Sequence, residues 1–488
     1  MSRKTVAGWL SWPVATLTVV AVLTACAIIL VAVRPQVLPG LAGSSAPDAA
    51  PTPTALASPS SPASAGQTAG VIGPAIPAGS GVIPDAASLT RRISAVPTTR
   101  LGAVGGEVTD LTNGSVLYDS RAATPMIPGS TLKLLTMTAA LEELGPWHRF
   151  TTRVVSPAPG SIVLVGGGDP YLASEAPSGS ATYPTPVTSA TLAAETASAL
   201  KAQGITTVTL GYDDSLFTGP DWNAAWPSEY RDQVATISPL WIDQGHDPAS
   251  RKFSRTPSAT AARTFAAQLA RQGITVRDSA PGRVTVPADA ATLAQVQSWP
   301  LATIVERTLL ESDNSAAEVL LRQVALAAGR PATFAGGVDA VEHEVSRLGI
   351  TLDGVHMVDG SGLARADTVT AAQLTALIRL AASRPELRPL LDGLPVAGVT
   401  GTLASRFYVT GATPGRGEVR AKTGTLTHVS SMAGYVRTES GALLAFAFLV
   451  NGARPGTKVT ATSVGTNDWT MGTYLDQVAG AIAGCGCS

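Results

Sequence analysis

Lysine is nearly missing from this chain of 488 residues: Lys4, Lys133, Lys201, Lys252, Lys422 and Lys458 are all there are, and arginine carries most of the positive charge. Cysteine is scarcer still, at Cys26, Cys485 and Cys487, with neither a zinc-ligand spacing nor a disulfide framework. The five histidines are scattered, so no metal site is expected. Aromatics make up 5% of the residues, and the net charge of −1 gives no reason to expect a polyanion such as nucleic acid as partner. A nucleotide loop is lacking as well. Gly166-Gly167-Gly168-Asp169-Pro170 follows a strand but has neither the G-x-G-x-x-G spacing nor the helix that should come next, and it reads as a tight turn. No internal repeat is visible.

Charge is also missing from Thr5 to Val33, between Arg3-Lys4 and Arg34-Pro35. As a helix that run would reach about 40 Å, enough for a hydrocarbon core of roughly 30 Å. Residues 1–34 are therefore expected to be a single-pass transmembrane anchor or uncleaved signal. Arg3 and Lys4 would stay cytoplasmic, and the rest would be extracytoplasmic. Leu23-Thr24-Ala25-Cys26 also matches a lipobox-like pattern, but Ala27 to Val33 stays apolar beyond the cysteine. Residues 35–87 are rich in Ala, Pro, Ser, Gly and Thr and poor in large apolar residues. They are expected to form a disordered tether.

Folded sequence is expected from Ser88. Asn113-Gly114 between two alternating runs marks a hairpin. Leu134, Met137, Leu141 and Leu144 recur at helical spacing until Gly145-Pro146. Ser130 and Lys133 therefore share one face at the start of a helix. A hydroxyl there becomes a nucleophile if a neutral lysine takes its proton, and burial and the positive helix end both favour the neutral amine. From 151 to 298 short strands mix with helical runs. Ser312-Asp313-Asn314 falls in a turn between two helices, where Asp313 reads as a helix cap. Lys422-Thr423-Gly424-Thr425 precedes two strong strands, Ser431 to Thr438 and Ala442 to Asn451, and a terminal helix. Early and late strands around a central helical block suggest one sheet in which the first and last segments are neighbours. Cys485-Gly486-Cys487 is compatible with a small disulfide or with free thiols.

Ser130-x-x-Lys133, Ser312-x-Asn314 and Lys422-Thr423-Gly424, in this order, are the signature set of serine β-lactamases and penicillin-binding proteins. With its long interval between the first two motifs, the chain resembles the low-molecular-mass penicillin-binding proteins, the D-Ala-D-Ala carboxypeptidases/endopeptidases with a large insert. Leu164 to Pro170, Tyr212 to Phe217, Asp359 to Leu363, Leu394 to Gly398 and Gly401 to Leu403 carry the narrower likeness, which spans about Ser88 to Ala479. One departure is Ala364, where the family commonly has serine.

The resemblance implies an α/β (α+β) penicillin-binding/serine β-lactamase-like transpeptidase fold, with an antiparallel sheet flanked by helices. Residues 88–150 and 299–484 would form the catalytic domain, and 151–298 an inserted mixed α/β domain. It further implies that Ser130 attacks, Lys133 is the base, Ser312 relays a proton and Asn314 orients the peptide. Lys422 and Thr423 would bind the terminal carboxylate. Gly424 and Thr425 line the site, and the N–H groups of Ser130 and Thr425 would form the oxyanion hole. A pocket for the stem-peptide side chain would involve Ser361, Arg365, Trp226 and Glu229. No cofactor is implied. Peptidoglycan stem peptides would be substrates, and β-lactam antibiotics covalent inhibitors. The competing readings are a serine β-lactamase on the same scaffold and a vestigial penicillin-binding scaffold.

Overall fold

The computed structural model describes residues 75, 81–98, 101–176, 184–277, 280–287, 289–452 and 471–487. The expected anchor, almost all of the expected tether and Cys26 lie outside them. No helix among the described residues is long and apolar enough to cross a membrane.

The first sheet joins the two ends of the folded chain. Strand β1 (Ala103–Asp110) pairs with β2 (Val116–Ser120) on one side and with β11 (Leu443–Asn451) on the other. Strands β10 (Val429–Arg437) and β9 (Val419–Leu426) complete an all-antiparallel order β2-β1-β11-β10-β9. Strand β11 is an unbroken apolar run because both of its faces are covered. Leu444, Phe446, Phe448 and Val450 point into a core shared with helix α1 (Ala86–Ser94) and the terminal helix α10 (Met471–Ala483). Ala445, Ala447 and Leu449 alternate to the opposite face and pack in the core that holds α8 (Ala371–Ser383). Helix α8 starts on a capping box, with Thr370 and Gln373 each bonding the other's backbone N–H.

Folded structure begins earlier than composition suggests. Asp85 caps α1 by accepting from Ser88 N–H at 2.8 Å, and its own N–H donates to the Cys487 carbonyl at 3.0 Å. The Ser440 hydroxyl donates to the Val82 carbonyl at 2.8 Å. Residues 81–87 thus belong to the domain and not to the tether. Cys485 and Cys487 are bridged to each other, and Cys485 is buried against α1 and α10.

The helical block contains α2 (Lys133–Leu144), α5 (Leu301–Glu311), α6 (Asn314–Ala327), α7 (Phe334–Arg347), α8 and the short α9 (Arg388–Asp392). Helices α2 and α6 are buried over most of their length, which is why neither shows a clean polar stripe.

Between α2 and α5 the chain builds a second, mixed sheet of order β6-β5-β4-β3-β8, with β7 also paired to β5. Its strands are β3 (Thr151–Ala158), β4 (Ser161–Val165), β5 (Thr207–Asp213), β6 (Thr275–Val276), β7 (Gly282–Arg283) and β8 (Thr292–Gln297). Helices α3 (Ser189–Ala202) and α4 (Pro257–Arg271) pack on it and share its separate core. The strap from Phe217 to Trp241 leaves that core: Phe217, Trp226, Val234, Ile237 and Trp241 are buried with the helical block. This part of the inserted segment is therefore packed into the helical block and not onto the second sheet.

Phe446 is fully buried at the centre of the first sheet. Phe446→Ala is expected to cost about 3–5 kcal/mol of stability, read as a lower midpoint of urea unfolding at unchanged slope.

Candidate active site

Ser130 lies on a 3-10 turn, Gly129–Leu132, that runs straight into α2. The turn is clamped to β9. The hydroxyls of Thr131 and Ser431 both donate to the Pro128 carbonyl, tying the turn to β10 as well. Two glycines allow the approach. Gly129 has φ of +53°, and a Cβ on Gly424 would sit 2.3 Å from the Pro128 carbonyl oxygen and 2.8 Å from Ser130 N. No side chain fits at 424, so the Lys-Thr-Gly strand must end its motif in glycine to reach the serine.

Lys133 is fully buried. Its Nζ lies 3.0 Å from Ser130 Oγ, 2.7 Å from Asn314 Oδ1 and 2.8 Å from the Ser361 carbonyl oxygen. Three acceptors match the three N–H bonds of an ammonium. A neutral amine keeps two N–H bonds, for Asn314 and Ser361, and its lone pair then faces the Ser130 hydroxyl. Gain or loss of the proton needs only the Ser130–Lys133 hydrogen bond to reverse. Burial brings the Lys133 pKa down to about 8 despite the opposing charges of Asp359, Glu318 and Asp313.

Asn314 begins α6, capped by Asp313, which accepts from Ala316 N–H at 3.0 Å. The Asn314 amide donates to the Gln233 carbonyl at 2.9 Å, so its orientation is fixed by the strap. Ser312 occupies the left-handed region (φ 59°) after α5. Its hydroxyl accepts from Lys422 Nζ at 2.8 Å, and Lys422 also donates to the Thr423 carbonyl at 2.8 Å. As an ammonium Lys422 has one donor left for a ligand. Burial, then repulsion from Lys133, holds its pKa well below the ordinary lysine value. Thr423 Oγ1 lies 2.9 Å from Thr402 Oγ1, a partner that sequence reasoning did not single out as a site residue. Thr425 is exposed, beside the serine turn.

The structure thus brings Ser130, Lys133, Ser312, Asn314, Lys422, Thr423, Gly424 and Thr425 together. The remaining candidates are placed differently. Ser361 is buried, and its carbonyl, not its hydroxyl, serves Lys133. Trp226 is not an open pocket wall. It is buried between Trp222 and Phe334 in edge-to-face contacts of 5.1 and 5.2 Å, and its indole N–H donates to Asp359 Oδ2 at 2.7 Å. Arg365 is exposed and donates to the Thr427 carbonyl at 2.8 Å, two residues past Thr425. Glu229 is exposed on the short turn Ser228–Asp232, and no contact among the described residues ties it to the cluster. The Ala364 N–H donates to Asp359 at 2.7 Å and its carbonyl accepts from Asp367 N–H at 3.2 Å, so a hydroxyl at 364 is not needed for either bond.

A Lys133 that acts as the base for Ser130 must first lose its proton, and in that case acylation is expected to rise with pH through about 8 and level off above it. Stopped-flow acylation rates between pH 6 and 9.5 check this. A rate that is flat below pH 8 would contradict a lysine base.

The sequence profile of the D-Ala-D-Ala carboxypeptidase 3 (S13) family matches residues 87–252 and 246–468. A carboxypeptidase of Mycobacterium tuberculosis is 36% identical over 410 residues, covering 81% of this chain and 86% of that protein. Carboxypeptidase DacB of Mycolicibacterium smegmatis is 35% identical over 437 residues, covering 85% and 89%. Among solved structures, penicillin binding protein 4 from Haemophilus influenzae superposes with a TM-score of 0.65 at 23% identity, covering 79% of this chain and 97% of that one. With both the motif cluster and the two-sheet architecture in place, the chain belongs to the D-Ala-D-Ala carboxypeptidase 3 (S13) family.

Proposed function

We propose that this serine carboxypeptidase works through an acyl-enzyme on Ser130. The observation that carries the reading is the threefold hold on Lys133 Nζ, which aims the amine's lone pair at the Ser130 hydroxyl. Ser130 Oγ attacks the carbonyl of the penultimate D-Ala while Lys133 takes its proton. The N–H groups of Ser130 and Thr425 receive the oxyanion. The C–N bond breaks as the departing D-Ala nitrogen takes a proton relayed by Ser312, which is hydrogen-bonded to Lys422. Lys422 and the Thr423 hydroxyl hold the terminal carboxylate, whose charge favours the ammonium form of Lys422. Water then hydrolyses the ester. Hydrolysis of a D-Ala-linked cross-bridge follows the same steps with another amine leaving, which is the endopeptidase form of the reaction.

β-Lactams would enter the same route and stay attached, because the cleaved amide remains tethered and does not diffuse away. The Haemophilus penicillin binding protein 4 has been solved in complex with a novel β-lactam. For location, the uncharged run from Thr5 to Val33 and the bridged cysteines near the C-terminus support a catalytic domain outside the cytoplasmic membrane, held by residues 1–34.

Intact mass after incubation with benzylpenicillin tests the nucleophile. The protein should gain one penicillin, and Ser130→Ala should gain none. Rapidly opened penicillin without an adduct would support a β-lactamase, and intact penicillin without an adduct a vestigial site. The side-chain pocket has its own test. Arg365→Ala should slow release of D-Ala from a diaminopimelyl stem peptide about tenfold while sparing a bare acyl-D-Ala-D-Ala; the tenfold is one charge-assisted contact of about 1.4 kcal/mol. Equal losses on both substrates would remove Arg365 from substrate recognition.

A further inference from the structure

Beneath the catalytic lysine lies a group of buried carboxyls that the reaction steps above do not use. Glu318 follows Asn314 by one turn of α6 and has no solvent exposure. Its two oxygens accept from the Gly360 N–H at 3.0 and 3.1 Å. The next residue, two peptide groups on, supplies the Ser361 carbonyl that holds Lys133 Nζ. Gly360 is seated tightly on α6: a Cβ there would come within 2.9 Å of Leu321 Cβ and 3.2 Å of the Ala317 carbonyl oxygen. Asp359, also fully buried, accepts from the N–H groups of Ser361 and Gly362 on one oxygen, and from Ala364 N–H and the Trp226 indole on the other. The turn that presents a carbonyl to Lys133 is thus pinned by Glu318 from α6 and by Asp359 from within.

We propose that Glu318 is a positioning residue for acylation. Through Gly360 it holds the Ser361 carbonyl on Lys133, and its charge receives the ammonium that forms when Lys133 takes the Ser130 proton. In that step the Ser130 O–H bond breaks, an N–H bond forms on Lys133, and the Ser130 oxygen bonds the acyl carbon; Glu318 itself exchanges no proton with either. The proposal rests on the reading of Lys133 as the base.

The charges around the pair agree with this role. Lys133 faces Glu318 from α2, with Asp313 at the cap of α6, Asp359 on the turn and Lys422 on β9. Glu318 faces Lys133, Asp359 and Asp367 from neighbouring segments and Arg322 from its own helix. Asp367 is held well above the usual carboxylate range by burial and by the Asp359 charge. Arg322 is engaged with the carbonyls of Thr218, Pro220 and Ala332. Burial, then the Asp359 charge, pushes Glu318 up to about 8, the range to which burial lowers Lys133. The two groups titrate over one interval: a charged Glu318 favours the lysine ammonium, and a neutral Glu318 favours the free amine.

Glu318→Gln separates charge from geometry, because the glutamine oxygen still accepts from Gly360. Benzylpenicillin acylation of the full-length variant should show its acidic limb at least half a pH unit lower than wild type, with a plateau several-fold lower because the ammonium is less stabilised. An unshifted limb with rates reduced equally at every pH would overturn the charge role and leave only packing. Should the variant not fold, the wild-type protein labelled with 13C at lysine Cε gives the same answer, since only six lysines are present and Lys133→Ala identifies the resonance. A two-step titration of Lys133 supports the proposal, and a single-step curve overturns it. Lys133→Ala acylating at the wild-type rate would instead sink the reading of Lys133 as the base, a different failure from an unshifted limb.

Discussion

The lysine amine at the centre of the site depends on three acceptors that come from three separate parts of the chain. Ser130 arrives on the turn before α2, Asn314 at the start of α6, and the Ser361 carbonyl on a turn from the far side of α7. None of these segments is near another in sequence, so the hold on Lys133 exists only when the whole helical block is packed. Burial is the second half of the constraint. An exposed lysine at this spot would be an ammonium at neutral pH and would have no lone pair to offer.

Burying two lysines and several carboxyls in one small volume is costly unless each charge has a partner or is lost. The protein uses both solutions. Lys133 is shared among three oxygens, Asp359 accepts four N–H groups, and Arg322 spends its donors on backbone carbonyls. Asp169, buried in the turn of the inserted sheet, has its pKa pushed up to about 7 by burial and keeps one bond to Tyr171 N–H. The indole of Trp226 joins the same network, which is why a residue expected beside the substrate is found behind it.

Much of the site was legible because its chemistry is written in short intervals. Ser130 and Lys133 are one helical turn apart, Asp313 is an ordinary cap, and Lys422 to Gly424 stand just ahead of two strong strands. The strand alternation of β10 and β11 and the helical spacing of α2 were also plain. Glu318 was missed, although it stands four residues from Asn314 on the same helix face, where a charged residue among apolar neighbours signals a buried partner. Asp359 passed for a turn residue because its local pattern is that of a turn, and its three amide partners are indeed local; only the Trp226 indole comes from elsewhere in the chain. The start of α1 was hidden by a composition that runs from spacer into domain without a break, and only the Asp85 cap marks it. Helix α7 was missed, although Phe334, Val338, Val341 and Val345 recur at helical spacing and Thr333 stands ready to cap it, accepting from Gly336 N–H at 2.9 Å.

Strand β1 has its edge completed by β11, so that Ala103 lies opposite Asn451. During synthesis that partner arrives only after almost the whole chain has been made. The inserted sheet, whose strands lie between 151 and 297, can pair internally long before. Non-local pairing of this kind is slow, since the loop must close before any contact rewards it. A chain halted after α2 but before β11 therefore carries Ser130 and Lys133 with no completed sheet to hold Lys422 against them, and such a partly made copy lacks the assembled site.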